Sequence, residues 1–359
     1  MKGNAMANRT KAYQSLWPND LRIAVRAAFL YVGQGDSTVL FIRDRYGYRL
    51  VLVDINLDRK NGGIDVPRLV KDLLQHQHLY AFLNTHPHED HLCGIGKLAD
   101  AVVIDNVWHS GFSPGKDANP GYDDLKKLIA DVRKLNGEKA ERVLMGSRSS
   151  EALFDATMHV LAPAEHVVED IKEEDRDKRR ALIHENCIVV KVGTKNGWVL
   201  LTGDADKPAF EKHITEYHKD RLPSQILSAS HHGSRSFFKD KEEDDPYLDG
   251  LNAIDPTDVV VSAPKQKESK HGHPDTDAVS LYANHVGESR VYHTGDERYT
   301  YVVDILDDGS VTGVRDDGGE LSAEYALSED DDGGGGGKAV GPFIRPKTAT
   351  GDTAPRKFG

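Results

Sequence analysis

The sequence predicts an α/β protein of four layers, α/β/β/α, with two sheets packed face to face and helices covering their outer surfaces. Three observations lead there. Short apolar strands alternate with amphipathic helices in two successive halves of the chain. Each half contains a hairpin signal, Asp-Arg-Tyr-Gly at 44–47 and Lys-Asn-Gly at 195–197. The histidines cluster immediately after strands, where the loops of two facing sheets would meet along one edge.

Residues 22–31 alternate apolar and polar side chains, and the glycine turn Val32-Gly-Gln-Gly-Asp-Ser37 follows. Strands at 37–43 and 48–54 form the first hairpin. Over 66–76 the apolar positions Val66, Leu69, Val70, Leu73 and Leu74 have helical spacing, with Pro67 in the first turn. A buried strand at 79–84 leads into Thr85-His-Pro-His-Glu-Asp-His91, and a strand at 102–108 and a helix at 122–135 complete the first half. The second half repeats this grammar. Strands are expected at 156–161, 186–192, 197–201, 225–229 and 258–262, with helices at 207–218 and 275–286. Strands at 290–293, 299–306 and 311–315 would close the second sheet. One domain over 22–328 is expected, after an extension at 1–21. A flexible tail over 329–359 carries an acidic run and five consecutive glycines.

Composition narrows the function. The 359 residues include 46 basic and 58 acidic side chains, a net charge of −12 that excludes a globally basic nucleic-acid coat. Two cysteines cannot form a disulfide scaffold or a four-thiolate zinc site. No apolar run is long enough for a signal-peptide core or a membrane span, so a cytoplasmic protein without membrane contact is expected. The phosphate loop, the dinucleotide fingerprint and the Gly-x-Ser-x-Gly nucleophile elbow are absent.

The strongest chemical signal is His86-Pro-His88-Glu-Asp90-His91. Residues two apart on an extended segment point the same way, so His86 and His88 can share one ion. Asp90 and His91 follow where the chain turns, and can serve a second ion. Imidazoles plus carboxylate suit Zn2+, with Mn2+ or Fe2+ also compatible.

This pattern resembles the metallo-β-lactamase superfamily, whose signature is His-x-His-x-Asp-His. Leu52-Val-Asp54, Thr202-Gly-Asp204 and Ser230-His-His-Gly-Ser234 fall in the order that family uses. With Val32-Gly-Gln-Gly-Asp-Ser37 and Gly272-His-Pro274 they are most similar to the hydrolase domain of ComEC-type DNA-uptake proteins, without the membrane channel. The resemblance implies two divalent ions, one held by His86, His88 and His184, the other by Asp90, His91 and His232, with Asp204 bridging. By composition alone Asp204 could instead open a turn. His184 is otherwise an ordinary loop histidine, Asn186 then doing structural work. The resemblance also implies that His231 contacts substrate, that Asp90 positions the attacking water, and that Asp54 orients a ligand or a loop without binding metal.

The expected activity is metal-dependent hydrolysis of a phosphodiester in nucleic acid or a nucleotide, through a metal-bridging hydroxide. Lys265, Lys267, Lys270 and Arg235 would supply local positive charge for phosphate, and His273 would line the cleft. A solvated surface loop is the plain alternative for the lysines. The competing functions are a lactone, β-lactam or thioester hydrolase on the same site, and a non-catalytic, metal-stabilised binding module.

Overall fold

The structure, a computed structural model, describes residues 10–114, 119–170 and 182–327. The expected tail at 329–359 and residues 1–9 of the expected extension lie outside the described residues.

The first sheet begins with β1 (Ile23–Phe29), β2 (Thr38–Asp44), β3 (Gly47–Val53), β4 (Leu79–Asn84), β5 (Ile104–His109) and β6 (Glu141–Val143). The second contains β7 (Glu151–Leu153), β8 (Ala156–Ala162), β9 (Val189–Thr194), β10 (Gly197–Leu201), β11 (Ile226–Ser228), β12 (Asp258–Val261) and β13 (Val291–His293). The chain then returns to the first sheet as β14 (Tyr301–Leu306) and β15 (Arg315–Asp316), giving the order β15-β14-β1-β2-β3-β4-β5-β6. This corrects the expectation that 299–306 would close the second sheet. The strand alternates as expected, but alternation does not say which sheet a strand joins. The expected strand at 311–315 contributes only a bridge at Val311, with β15 starting at Arg315.

Both sheets have the same internal order. Antiparallel neighbours (β1, β2, β3; then β8, β9, β10) give way to parallel ones (β3 to β6; then β10 to β13). β3 and β10 therefore occupy corresponding places, as do β4 and β11.

Period-two alternation splits each strand between two apolar layers. In β3, Val51 and Val53 face the space between the sheets, while Leu50 and Leu52 face the helices. The inter-sheet layer joins Val25, Phe29, Leu40 and Leu83 to Val190, Val192, Val199 and Leu201. A second layer packs the helices Val66–Leu74, Ile95–Ala101 and Pro120–Asn136 on the first sheet. A third packs Phe210, Phe237 and Tyr282 on the second. Three apolar layers between four sheets of secondary structure make the predicted α/β/β/α sandwich.

The helices start where their sequences direct. Asp65 caps Val66–Leu74 by accepting from the Arg68 amide at 3.1 Å, and Pro67 sits in its first turn. Asn119 caps Pro120–Asn136 by accepting from the Tyr122 amide at 2.9 Å. The segment at 207–218 starts as an α turn, then widens to a π turn at Phe210–Ile214. A short helix, Lys11–Leu16, lies within the expected extension and buries Ala12 and Leu16 in the first helical layer. No described helix is long and apolar enough to cross a membrane.

The returning strand is fastened by charge. Arg26 on β1 donates from Nε and Nη2 to the two carboxylate oxygens of Asp304 on β14, at 2.5 and 2.8 Å. Both side chains are 7 % exposed. Arg315 also approaches Asp304, at 3.1 Å, from the half-exposed side. Truncating one member of a buried ion pair leaves a charge without compensation, which costs about 3–5 kcal/mol. The second guanidinium at Arg315 puts Arg26→Ala at the lower end, about 3 kcal/mol. Urea unfolding of the metal-free variant checks this; a loss under 1 kcal/mol would show that Arg315 alone neutralises Asp304.

Candidate metal centre

The candidate side chains meet at one rim of the sandwich, beyond the ends of β3, β4, β10, β11 and β12. Crevices outside the carboxyl ends of parallel strands are where α/β sheets leave loops free to carry chemistry. Five loops converge there.

The loop after β3 supplies Asp54, in the left-handed region at φ +55°. Its Oδ1 accepts from the Thr85 amide at 2.8 Å and from Asn84 Nδ2 at 3.1 Å. Its Oδ2 accepts from the Thr85 hydroxyl at 2.6 Å and lies 2.8 Å from His91 Nδ1. Asp54 thus fixes the ring of His91 and leaves its Nε2 free, as a carboxylate behind a ligating histidine does. The same carboxylate fixes the start of the loop that carries His86.

The loop after β4 holds the six-residue motif. His86 Nε2 and His88 Nδ1 come within 2.9 Å of each other, so the two rings converge as their spacing predicts. A short 3-10 turn, Glu89–His91, then swings Asp90 and His91 toward the second sheet.

The loop after β10 supplies Asp204, which is 1 % exposed. Gly203, at φ +48°, makes the preceding bend, and a Cβ there would lie 2.7 Å from Cys187 Sγ. The two carboxylate oxygens of Asp204 face different partners. Oδ2 lies 3.4 Å from His86 Nε2 and 3.5 Å from His231 Nε2. Oδ1 lies 3.1 Å from His91 Nε2 and 3.5 Å from His232 Nε2.

The loop after β11 corrects one expectation. Reading His231 and His232 as the end of a strand put their rings on opposite sides. The strand ends at Ser228, and both histidines adopt left-handed backbone, at φ 50° and 57°. Both rings therefore reach Asp204, one on each oxygen. His232 Nδ1 lies 3.1 Å from the Ser262 carbonyl, which leaves Nε2 toward the site. His231 Nδ1 pairs with the Ser236 hydroxyl at 2.9 Å.

Two donor sets result, each with ligand atoms within 4.8 Å of one another: His86, His88, His184 and Asp204, and Asp36, His91, Asp204 and His232. His184 joins the first set. In the second set stands Asp36, from the glycine turn, to which the sequence reading gave no role. Asp90 lies beside that set, 3.5 Å from His232 Nε2 and 4.0 Å from His91 Nε2, and is more open than Asp36. Asp204 Oδ1 and His184 Nε2 are buried and make no hydrogen bond among the described residues. Buried polar atoms are normally satisfied. A divalent cation in each set satisfies both, so the residues fit two ions.

Burial and neighbouring charge set the protonation states. Burial alone would push Asp204 up, but the surrounding histidines hold it well below the carboxylate range. Burial likewise opposes charge on His91, yet Asp204 and Asp54 raise it well above the ordinary imidazole value. His88 is lowered to about 3 by burial and by His86, and burial lowers His184 well below its usual range. The first set is therefore predominantly neutral imidazole, the form that ligates metal.

Of the expected substrate contacts, His273 approaches the site, its ring 5.2 Å from that of His231. Its amide donates to Ser269 Oγ at 3.0 Å. Lys267 and Lys270 are exposed and Lys265 half-buried, and none forms an ion pair among the described residues. Arg235 is turned to Glu242, 3.5 Å away. Asn186 is buried, with both side-chain polar atoms unpaired among the described residues.

No family model matches the chain, and no curated protein matches it. Among solved structures it is similar to CmlA, a diiron β-hydroxylase from Streptomyces venezuelae, with a TM-score of 0.41 and 16% identity over 74% of this chain and 52% of that one. The chain thus spans about half the length of that hydroxylase. It is also similar to a β-lactamase domain protein from Burkholderia ambifaria, with a TM-score of 0.28 and 14% identity over 52% of this chain and 55% of that one. A third is a subclass B3 metallo-β-lactamase isolated from a soil metagenome library, with a TM-score of 0.29 and 13% identity over 73% and 86% of the two chains. Likenesses this distant assign no chemistry, and the geometry above carries the argument that follows.

In the chelated protein the second donor set makes stability depend on pH. Burial opposes charge on His232, but Asp204 and Asp36 raise it to about 9. A raised folded pKa adds stability that is complete below the unfolded value of about 6.5 and lost as pH rises through the folded one. The stability difference between wild type and His232→Gln should therefore shrink from pH 6.5 to 9. Unfolding curves in chelator across that window check it, and a difference that grows would reverse the charge assignment.

Proposed function

We propose that the chain is a dinuclear-metal-dependent hydrolase of phosphodiesters, acting on nucleic acid or a nucleotide. The observation that carries the two-ion reading is Asp204, a buried carboxylate whose oxygens face separate histidine sets from both halves of the chain. Divalent ions held in those sets would polarise a phosphoryl oxygen and lower the pKa of a water from 15.7 toward about 7.

The chain's own groups divide the remaining work. His231 is kept neutral by burial. With Nδ1 accepting from the Ser236 hydroxyl, Nε2–H is left to donate to a phosphoryl oxygen beside Asp204. Asp90, on the open side of His232, accepts a proton from the attacking water or steadies it. His273, lowered to about 4 by burial and by His231 and His232, stays neutral and lines the approach. The exposed Lys267 and Lys270, with Lys265, supply backbone-directed charge that no carboxylate among the described residues neutralises. The glycine turn, the paired histidines and Gly272-His-Pro274, similar in sequence to ComEC-type hydrolase domains, support the same substrate class.

Hydrolysis of bis-p-nitrophenyl phosphate with added Zn2+ or Mn2+ should be abolished by chelation. Asp204→Asn should cost more than the roughly 10–100-fold typical of losing an outer partner. On single-stranded DNA or RNA, log K should fall with log salt at a slope of about −1.5 to −3. Replacing Lys265, Lys267 and Lys270 with Gln should raise KM and flatten that slope by about 2, at unchanged metal content. Rapid turnover of a lactone or thioester with every phosphodiester intact would assign the site to acyl chemistry. Metal binding without any turnover would assign it to a binding module.

A further inference from the structure

The turn Val32-Gly-Gln-Gly-Asp-Ser37 is left without work by the mechanism above, yet it is among the most firmly held segments of the rim. From the first half, Asn56 Nδ2 donates to the Gln34 carbonyl, and Asp58 Oδ2 accepts from the Gln34 amide at 2.9 Å. From the second half, Ser262 Oγ donates to the Gly35 carbonyl at 2.9 Å and Ser269 Oγ to Gln34 Oε1 at 2.7 Å. Gly35, at φ +130°, passes so close to the loop after β4 that a Cβ there would lie 2.3 Å from the Asp90 carbonyl oxygen. Only glycine tolerates that approach. The result of this anchoring is the position of one side chain: Asp36 is driven under the rim, 8 % exposed, with a carboxylate oxygen within 4.8 Å of ligand atoms of His91, Asp204 and His232.

We propose that Asp36 is a protein ligand of the second ion, and that the glycine turn exists to deliver it. The proposal rests on the two-ion reading and adds a ligand to it. Asp90 reaches the same set only from its open side, through His232 and His91. A hard oxygen donor from below and a bridging carboxylate beside two imidazoles make an N2O2 set suited to Zn2+ or Mn2+. The competing role for Asp36 is to orient His232, whose Nδ1 lies 3.7 Å from Asp36 Oδ2.

Titration of the full chain with Co2+, followed by visible absorption and by chelator competition, separates these. Wild type should take up two equivalents. Asp36→Asn should keep the first equivalent unchanged and bind the second at least 30-fold more weakly. An asparagine still offers His232 an acceptor, so a purely orienting Asp36 predicts a second equivalent within threefold of wild type, and that result overturns the proposal. Fewer than two equivalents in wild type overturns the two-ion reading itself. Ser262→Ala removes an anchor of the turn without touching a ligand, and should weaken the second equivalent several-fold while sparing the first. An unchanged second equivalent there also counts against the proposal, and that variant decides the matter if Asp36→Asn does not fold.

Discussion

The rim depends on one buried carboxylate. Asp204 lies in a low-dielectric environment, where an unpaired negative charge is expensive. The fold offsets that cost by bringing imidazoles to both of its oxygens, from loops that start on different sheets. Without metal, the compensation takes the form of protons held on His91 and His232. With metal, cations take over the same role and the protons leave. The site is thus electrostatically prepared for positive charge before any ion arrives, and metal uptake should release protons.

The two sheets divide this labour in a regular way. Asp54 follows β3 and Asp204 follows β10, strands that hold corresponding places in their sheets. His86 follows β4 and His231 follows β11, again corresponding. From equivalent strand ends, one aspartate spends its hydrogen bonds on Thr85, Asn84 and His91, so its carboxylate is fully occupied. The other keeps Oδ1 without a hydrogen bond. Occupied and unoccupied carboxylates at matching positions explain why one orients and the other is left to bind.

Much of this was legible in the sequence, for identifiable reasons. His86, His88, Asp90 and His91 sit within six residues, so local geometry alone brings them together. Val66–Leu74 was legible because cap, proline and apolar spacing agree. Asp36 was not, although its turn is conspicuous: its neighbours come from Ser262, 227 residues away, and from the closure of the second sheet. The rings of His231 and His232 were misplaced because extended backbone was assumed where both residues adopt positive φ. The last long strand was assigned to the wrong sheet because its pattern records burial on two faces and nothing about its neighbours.

That last strand has a consequence for how the chain acquires its shape. β1 pairs with β2 nearby, but its other edge waits for β14, and Arg26 waits for Asp304, 278 residues further on. A ribosome making the protein therefore exposes an unpaired strand edge through almost the whole of synthesis. Contacts this distant in sequence also slow the search for the native arrangement. Unpaired edges are templates for association with other chains. The nascent protein is most vulnerable to self-association in the interval before residue 306 emerges, and its last hundred residues act as the stopper that ends that vulnerability.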